Sequence, residues 1–473
     1  MAALVSTSPG MVVLIGYYIS SVLYTIYFHP LSSFPGPWFM GGSRIPYTIS
    51  QWTGRTPFNV LEWHKKYGPV VRIAPDELAF SDPRAWKDMH GHRAAGEPEF
   101  SKVNRARKVL PEQPVSLITA PREEHGRLRR QMAHGFSDRS LREQQPIIKR
   151  YIDMLVQSLY ENCEAGSKAQ DMVKWYNYTT FDIIGDLAFG EAFGCLELGG
   201  YHPWVPMIFS AIKCSMYHEI ASFFPWFKTL IFALIPRESE HKRRENQRLT
   251  KEKLTRRMNY GGERPDLIEG LLRNKDELGL TFNQLQGNAT LLIIAGSETT
   301  ATLLSGVTYL LGMHTDALAK LTEEVRTAFK SEDEIDYVSV SNLPYMVACL
   351  EEALRIYPPA PLGITIVSMA HWAVYHSEEY WTLPHEFHPE RWLGDPRFAK
   401  DVREIHQPFH VGPRNCLGKN LAYIEMRLIL TRVLWNFDIK LADECKDWIA
   451  RQKIFLLWEK PPLKVYLTPR LKN

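Results

Sequence analysis

No C-x-x-C pair occurs anywhere in the 473 residues. The six cysteines, Cys163, Cys195, Cys214, Cys349, Cys416 and Cys445, stand far apart. That scatter excludes a disulfide scaffold and a structural zinc site, and it fits a reducing compartment. The stretch His385-Glu386-Phe387-His388 misses the H-E-x-x-H spacing of helix-borne zinc sites. Charge of one sign is also scarce. Lysine and arginine number 56 against 53 aspartates and glutamates, a formal net charge of +3, so no nucleic-acid footprint is expected. There is no internal repeat and no low-complexity tract. No basic segment precedes the first apolar run and no clear small-residue cleavage site follows it, which argues against a removed signal peptide.

The remaining composition is that of a globular chain, 45% hydrophobic and 23% charged, with material for one large domain or two or three smaller ones. One apolar run is long. Residues 11–28, MVVLIGYYISSVLYTIYF, hold 18 positions without a charge, near the lower limit for spanning a bilayer. Tyrosines near its C-terminal end suit the lipid interface, and the nearest charges, Arg44, Arg55, Lys65 and Lys66, all follow it. The reading is a lumenal tail over 1–10, a single-pass anchor over 11–28, a proline-rich linker over 29–50 and a cytosolic body over 51–473. The prolines of the linker's first part, 29–38, predict a stiff, extended spacer.

Helical apolar spacing covers 122–136, 144–161, 172–189, 282–313, 316–331, 343–356 and 419–437. Short strand patterns occur at 70–74, 77–80, 365–369, 453–458 and 464–467. The fold class is therefore mainly α with small β-sheets. Residues 204–236 are apolar but interrupted by Lys213, His218, Glu219, Lys228 and Pro225. They read either as amphipathic helices at a lipid interface or as core.

Cys416 sits in Phe409-His410-Val411-Gly412-Pro413-Arg414-Asn415-Cys416-Leu417-Gly418, just before a helical pattern. Glycines let backbone approach a flat macrocycle, the following helix favours a thiolate, and Arg414 can meet an anionic group. A lone cysteine in a Gly/Pro turn has a blander reading as a buried thiol; the spacing F-x-x-G-x-R-x-C-x-G favours a ligand. That pattern resembles the haem-binding signature of the cytochrome P-450 haem-thiolate monooxygenases.

The resemblance recurs along the chain. Ala295-Gly296-Ser297-Glu298-Thr299-Thr300 matches the family's oxygen-activation motif inside the 282–313 helix, which Thr281 and Gln284 open as a capping box. It implies room at Gly296 for dioxygen, a hydrogen bond from Thr299 and a proton relay through Glu298. The alternative is a small-residue packing patch with a threonine bonded back to its own helix. Glu352-Ala353-Leu354-Arg355 and Phe387-His388-Pro389-Glu390-Arg391-Trp392 resemble the family's structural network of Glu352, Arg355 and Arg391. His125-Gly126-Arg127-Leu128-Arg129-Arg130 stands where the family contacts haem propionates through Arg129, with His125 beside it. Arg127, Arg130, Lys419 and Arg427 suggest a basic face for an acidic redox partner.

Those likenesses imply a cytochrome P-450 fold behind one N-terminal transmembrane helix, and haem b (iron protoporphyrin IX) with Cys416 as axial ligand. Phe409, Gly412, Arg414 and Gly418 surround the cofactor. NADPH electrons arrive through an NADPH-cytochrome reductase at the endoplasmic reticulum membrane, and the substrate is a lipophilic small molecule. The nearest likeness is to fungal microsomal members such as trichothecene (isotrichodermin) hydroxylases, on residues 407–414 and 136–142. Pocket contacts are expected at 114–120, Ala295 and 361–364. One departure stands out. Ile364 meets Thr365 where the family carries a strand hairpin, so roughly twenty residues are missing, about two short strands and a turn. Such a loss leaves open a second reading, an inactive haem-binding member. A third, an isomerase or dehydratase needing no reductase, fits poorly with Glu298-Thr299.

Overall fold

The computed structural model describes residues 9–94, 97, 100, 115–224, 237–260, 262, 264–361 and 367–470. Within these, helices form the body and three small sheets lie at its margins. The central helix, Phe282–Met313, has the capping box read from the sequence: the Thr281 hydroxyl accepts from the Gln284 N–H and the Gln284 side chain accepts from the Thr281 N–H. It packs along Met172–Phe189, which is buried over nearly its whole length. Among the described residues it also has the length and apolarity of a membrane span, but 67% of that window is buried, so it is a core helix. The helix Lys419–Asn436 lies against it and against Asp138–Asn162.

Strands Val70–Ala74 and Glu77–Phe80 form an antiparallel pair, and Val367–Met369 adds in parallel to the second. Val367–Met369 is an edge of that sheet among the described residues. Residues 362–366, where the hairpin appears to be missing, lie outside the described residues, as do positions 1–8, 114 and 225–236 of the other expectations. A second sheet joins Gln170–Asp171, Lys464–Pro469 and Phe437–Leu441. Of the last strand, only Phe437 falls within the 419–437 helical pattern, as its final residue; the helix itself ends one residue earlier at Asn436. The strand's core-facing Phe437 begins an alternation too short to register as a strand. The 453–458 run is a hairpin of two strands, Lys453–Ile454 and Trp458–Glu459.

The N-terminal helix runs Pro9–Tyr27 and leaves Val12, Val13, Ile15, Tyr17 and Ile19 exposed. The linker behind it is not an extended spacer. Ser43 caps Arg44–Trp52 by accepting from the Ile45 N–H, and Trp38–Gly42 is also helical. The Thr25 hydroxyl donates to the Gly42 carbonyl at 2.9 Å, and Tyr18 donates to Ser43 at 2.9 Å. A side chain at Gly42 would press on Val22 and Ile26. Short polar caps and paired glycines thus dock the helix on the body where proline content alone predicts a strut. Of the 204–236 segment, helix Trp204–Phe223 buries Trp204, Val205, Ile208 and Ile220, so these residues are core.

Candidate active site

The cysteine loop is built by backbone bonds. The Cys416 N–H donates to the Phe409 carbonyl at 2.8 Å and the Asn415 N–H to the Gly412 carbonyl at 3.1 Å. His410 takes a left-handed φ of 64° and Gly412 one of 74°. The reason for glycine at 412 is not a macrocycle: a Cβ there would overlap the His90 carbonyl oxygen. Gly418 is different. A Cβ there meets only Phe136 at 3.7 Å, so its neighbourhood is open. Phe409 rests on Tyr423, ring centres 5.1 Å apart, with the Lys419 ammonium over its face.

Cys416 is the accessible cysteine among those described, while Cys163, Cys195, Cys349 and Cys445 are buried. Accessible does not mean open to bulk water here. Surrounding protein desolvates the sulfur and pushes its thiol up, against a hydrogen bond from the Gly418 N–H and the charges of Arg129 and Lys419. The helix start therefore does not by itself make a thiolate, contrary to the sequence expectation. A bound cation is what would deprotonate this sulfur outright.

Two arginines close the loop on its neighbours. Arg129 donates to the Asn415 carbonyl at 2.7 Å and to its side-chain oxygen. His125, one turn earlier, is buried. Arg414 donates to the Ala120 carbonyl at 3.1 Å, and the Leu117 N–H donates to Asn288 of the central helix at 2.8 Å. The turn over 115–120 thereby links the cysteine loop to the helix carrying the other motif.

On that helix Ala295 is exposed and Thr299 half-buried, one turn apart, while Ser297, Glu298 and Thr300 are buried. An accessible stripe on an otherwise buried helix is a candidate pocket lining. The motif's other side chains are engaged elsewhere. Gly296 does not leave space for dioxygen on its side-chain face: a Cβ would come within 2.6 Å of Ile184 Cδ1, so its glycine permits the close approach of Met172–Phe189. The Thr299 hydroxyl donates to the Ala295 carbonyl at 2.6 Å, the back-bonded arrangement, leaving its lone pairs to the pocket. Glu298 is ion-paired with Lys460 in the interior. Lys460 was not read from the sequence, and no local pattern marks it.

Glu352, Arg355 and Arg391 come together, all three without exposure. Arg355 grips Glu352 at 2.7 and 3.0 Å, and Arg391 reaches the same carboxylate at 3.2 Å and also pairs with Asp401. Trp392 donates to Glu352 at 2.9 Å. Burial pushes the Glu352 carboxyl up, but the two guanidiniums and their hydrogen bonds outweigh it and hold it below its usual range. The network reaches the cysteine loop: Arg355 donates to the Tyr375 carbonyl at 2.8 Å, and the Tyr375 hydroxyl accepts from the Gln407 N–H at 2.9 Å. The neighbouring Glu351 pairs with His406 at 2.9 Å and accepts from Tyr423.

Glu425 also escaped the sequence reading. It is buried in Lys419–Asn436, hydrogen-bonded to Thr300, and desolvation raises it from 4.5 to about 8. On the surface, Arg127, Arg130 and Lys419 are exposed, but Arg427 is half-buried with its guanidinium over Tyr423 and donates to Ser341. It does not belong to an open basic face.

Comparison with known proteins matches residues 41–467 to the family model described as Cytochrome P450. The chain is 47% identical to the cytochrome P450 monooxygenase tpeC of Talaromyces stipitatus, covering 97% of this chain and 94% of that protein. It is 44% identical to the cytochrome P450 monooxygenase astA of Talaromyces wortmannii, covering 96% and 95%. It is 41% identical to a trichothecene C-15 hydroxylase of Fusarium sporotrichioides, covering 96% of each. The first alignment runs over 487 positions, 14 more than this chain has residues.

Proposed function

This chain belongs to the cytochrome P450 family, and we propose that Cys416 would hold its haem iron through sulfur and that the Ala295–Thr299 stripe would line the same pocket. The protein is a monooxygenase of fungal secondary-metabolite biosynthesis that inserts one atom of dioxygen into a lipophilic small molecule. The residues present fit haem b. An accessible sulfur backed by a Gly418 N–H, an accessible stripe on a buried helix, and Arg129, Arg414 and His125 around the loop make a pocket of the required chemistry. Bound there, iron protoporphyrin supplies the activation of dioxygen and the oxygen insertion.

The protein's part is positioning. Phe409, Gly412 and Gly418 shape the loop, and Glu352, Arg355 and Arg391 hold it through Tyr375 and Gln407. Thr299 offers acceptor lone pairs to the pocket and Glu298 handles protons beside it. The accessibility of Cys416 among otherwise buried described cysteines is the observation that carries this reading. Electrons come from NADPH through a reductase, for which the exposed Arg127, Arg130 and Lys419 provide a basic contact face. Exposed apolar side chains along Pro9–Tyr27 support a single membrane anchor, with the body on the cytosolic face of the endoplasmic reticulum. One relative is named a trichothecene C-15 hydroxylase, which supports a lipophilic substrate of that kind. The edge strand Val367–Met369 among the described residues and the longer alignment support a missing hairpin, which would open one side of the pocket and take with it the basic residue and substrate-facing side chains that the family carries there.

The test is Cys416→Ala. Wild-type protein shows the red-shifted ferrous–CO Soret band of a thiolate-bound haem and consumes NADPH with a reductase. The variant loses both by more than tenfold. A variant that keeps the band ends the assignment.

A further inference from the structure

The buried Glu298–Lys460 pair is not explained by the fold alone. Lys460 lies 162 residues along the chain from Glu298, and their side chains are 3% and 4% exposed. The ammonium pairs with Glu298 Oε1 and donates to the Thr302 hydroxyl at 2.6 Å. Thr302, one helical turn beyond Glu298, donates in turn to the same oxygen at 3.4 Å. The other carboxylate oxygen, Oε2, is buried with no hydrogen-bond partner. A buried ion pair adds little stability over a well-packed apolar pair, and an unpaired carboxylate oxygen in the interior carries a cost that calls for a role.

The arm that delivers Lys460 is well held. It follows strand Trp458–Glu459, paired with Lys453–Ile454. The Trp458 indole donates to the Pro358 carbonyl at 2.8 Å and the Ile454 N–H to the Gly54 carbonyl at 3.0 Å. Pro461 and Pro462 follow and restrict the backbone. The hairpin tip keeps Leu456 exposed. Glu298 and Thr299 are adjacent on the helix, so their side chains leave it about 100° apart.

We propose that Lys460 is a positioning residue for the distal carboxylate: it holds Glu298 turned away from the Thr299 stripe, and it ties release of that carboxylate to the C-terminal hairpin. This rests on the assignment of Glu298 to proton handling. Glu298 takes up one proton at a carboxylate oxygen and passes that same proton toward pocket water. A ligand that shifts the hairpin loosens the pair and lets Glu298 swing; an undisturbed hairpin keeps it parked.

The experiment compares full-length, haem-loaded wild type with Lys460→Met, Lys460→Arg, Glu298→Gln and the double variant Lys460→Met/Glu298→Gln. Three quantities are read with reductase and no added substrate: the solvent deuterium isotope effect on NADPH consumption, hydrogen peroxide released per NADPH, and the melting temperature. Lys460→Met should lower the melting temperature and change peroxide release at least twofold, with a shifted isotope effect. In the Glu298→Gln background the same substitution should change neither kinetic quantity, and the melting temperature should recover. A structural role alone would not give that kinetic dependence. If Lys460→Met does not fold, Lys460→Arg carries the kinetic comparison, since it keeps the charge and moves its position. Equal kinetic effects of the Lys460 substitution in both backgrounds, or in neither, overturn the proposal. So does a double variant that fails to fold. Unchanged kinetics in Glu298→Gln alone instead defeat the proton-handling assignment of Glu298, whatever Lys460 does.

Discussion

The cysteine loop and the motif-bearing central helix are held by different physics. The first is held by an electrostatic lock: Glu352 takes bonds from Arg355, Arg391 and Trp392, and the same arginine reaches the loop through Tyr375. Its partners sit on neighbouring segments, and removing one strands the others. The helix is held by close packing and by contacts from far along the chain. Ile184 fills the face that Gly296 leaves bare, and Lys460 arrives from near the C-terminus to take Glu298. A lock of charges keeps one shape. A packed helix depends instead on fit and on one ion pair brought from far along the chain.

The sharpest way to break that contrast is Glu352→Ala. It leaves Arg355 and Arg391 buried without their carboxylate, and should cost about 3–5 kcal/mol in denaturant unfolding. The stability given by a carboxyl held below its usual range is present above 4.5 and is lost as pH falls through the lowered folded value. A loss near zero would show that the loop does not depend on the network.

The seam between the two regions offers a second test. Glu425, raised from 4.5 to about 8 by burial, stays protonated in the folded state after the unfolded chain has ionised. Wild-type stability should therefore fall as pH rises between those two values, by about 1.4 kcal/mol per pH unit. Glu425→Gln should lack that slope. Parallel pH profiles for the two proteins would show that the carboxyl is not neutral at the seam.

The smallest effect sharpens the helix side. Gly296→Ala should cost about 1–3 kcal/mol through overlap with Ile184, and Ile184→Ala in the same chain should recover much of the difference in thermal melting. Failure of that rescue would point back to the pocket as the reason for glycine.

Legibility followed sequence distance. Glu352 and Arg355 share a helical face three residues apart, so that pair was readable from spacing, whereas Arg391 was joined to them only through the family resemblance; the structure brings all three together. Central helix bounds were readable because a capping box starts the helix. Gly296, Thr299 and Glu298 were readable as residues but not as contacts. A glycine in a helix announces a close neighbour without saying whether it is a ligand or Ile184. Lys460 and Glu425 carry no local pattern at all. The 29–38 spacer departs from expectation for a related reason: prolines predict stiffness, while backbone bonds from the Ser32 N–H to the His29 carbonyl and from the Phe34 N–H to the Leu31 carbonyl turn the chain.

What the amino-acid order settles here is whatever depends on local periodicity and spacing: a mainly helical chain, a cysteine loop leading into a helix, an apolar N-terminal run, and the chemistry these imply. Tertiary structure alone decided which atoms those residues touch. It turned the oxygen motif's glycine toward Ile184 and its carboxylate toward Lys460, and it left Cys416 accessible while burying the other described cysteines. The physical reason is that burial and ion pairing act through space, and chain distance carries no information about which groups share an interior.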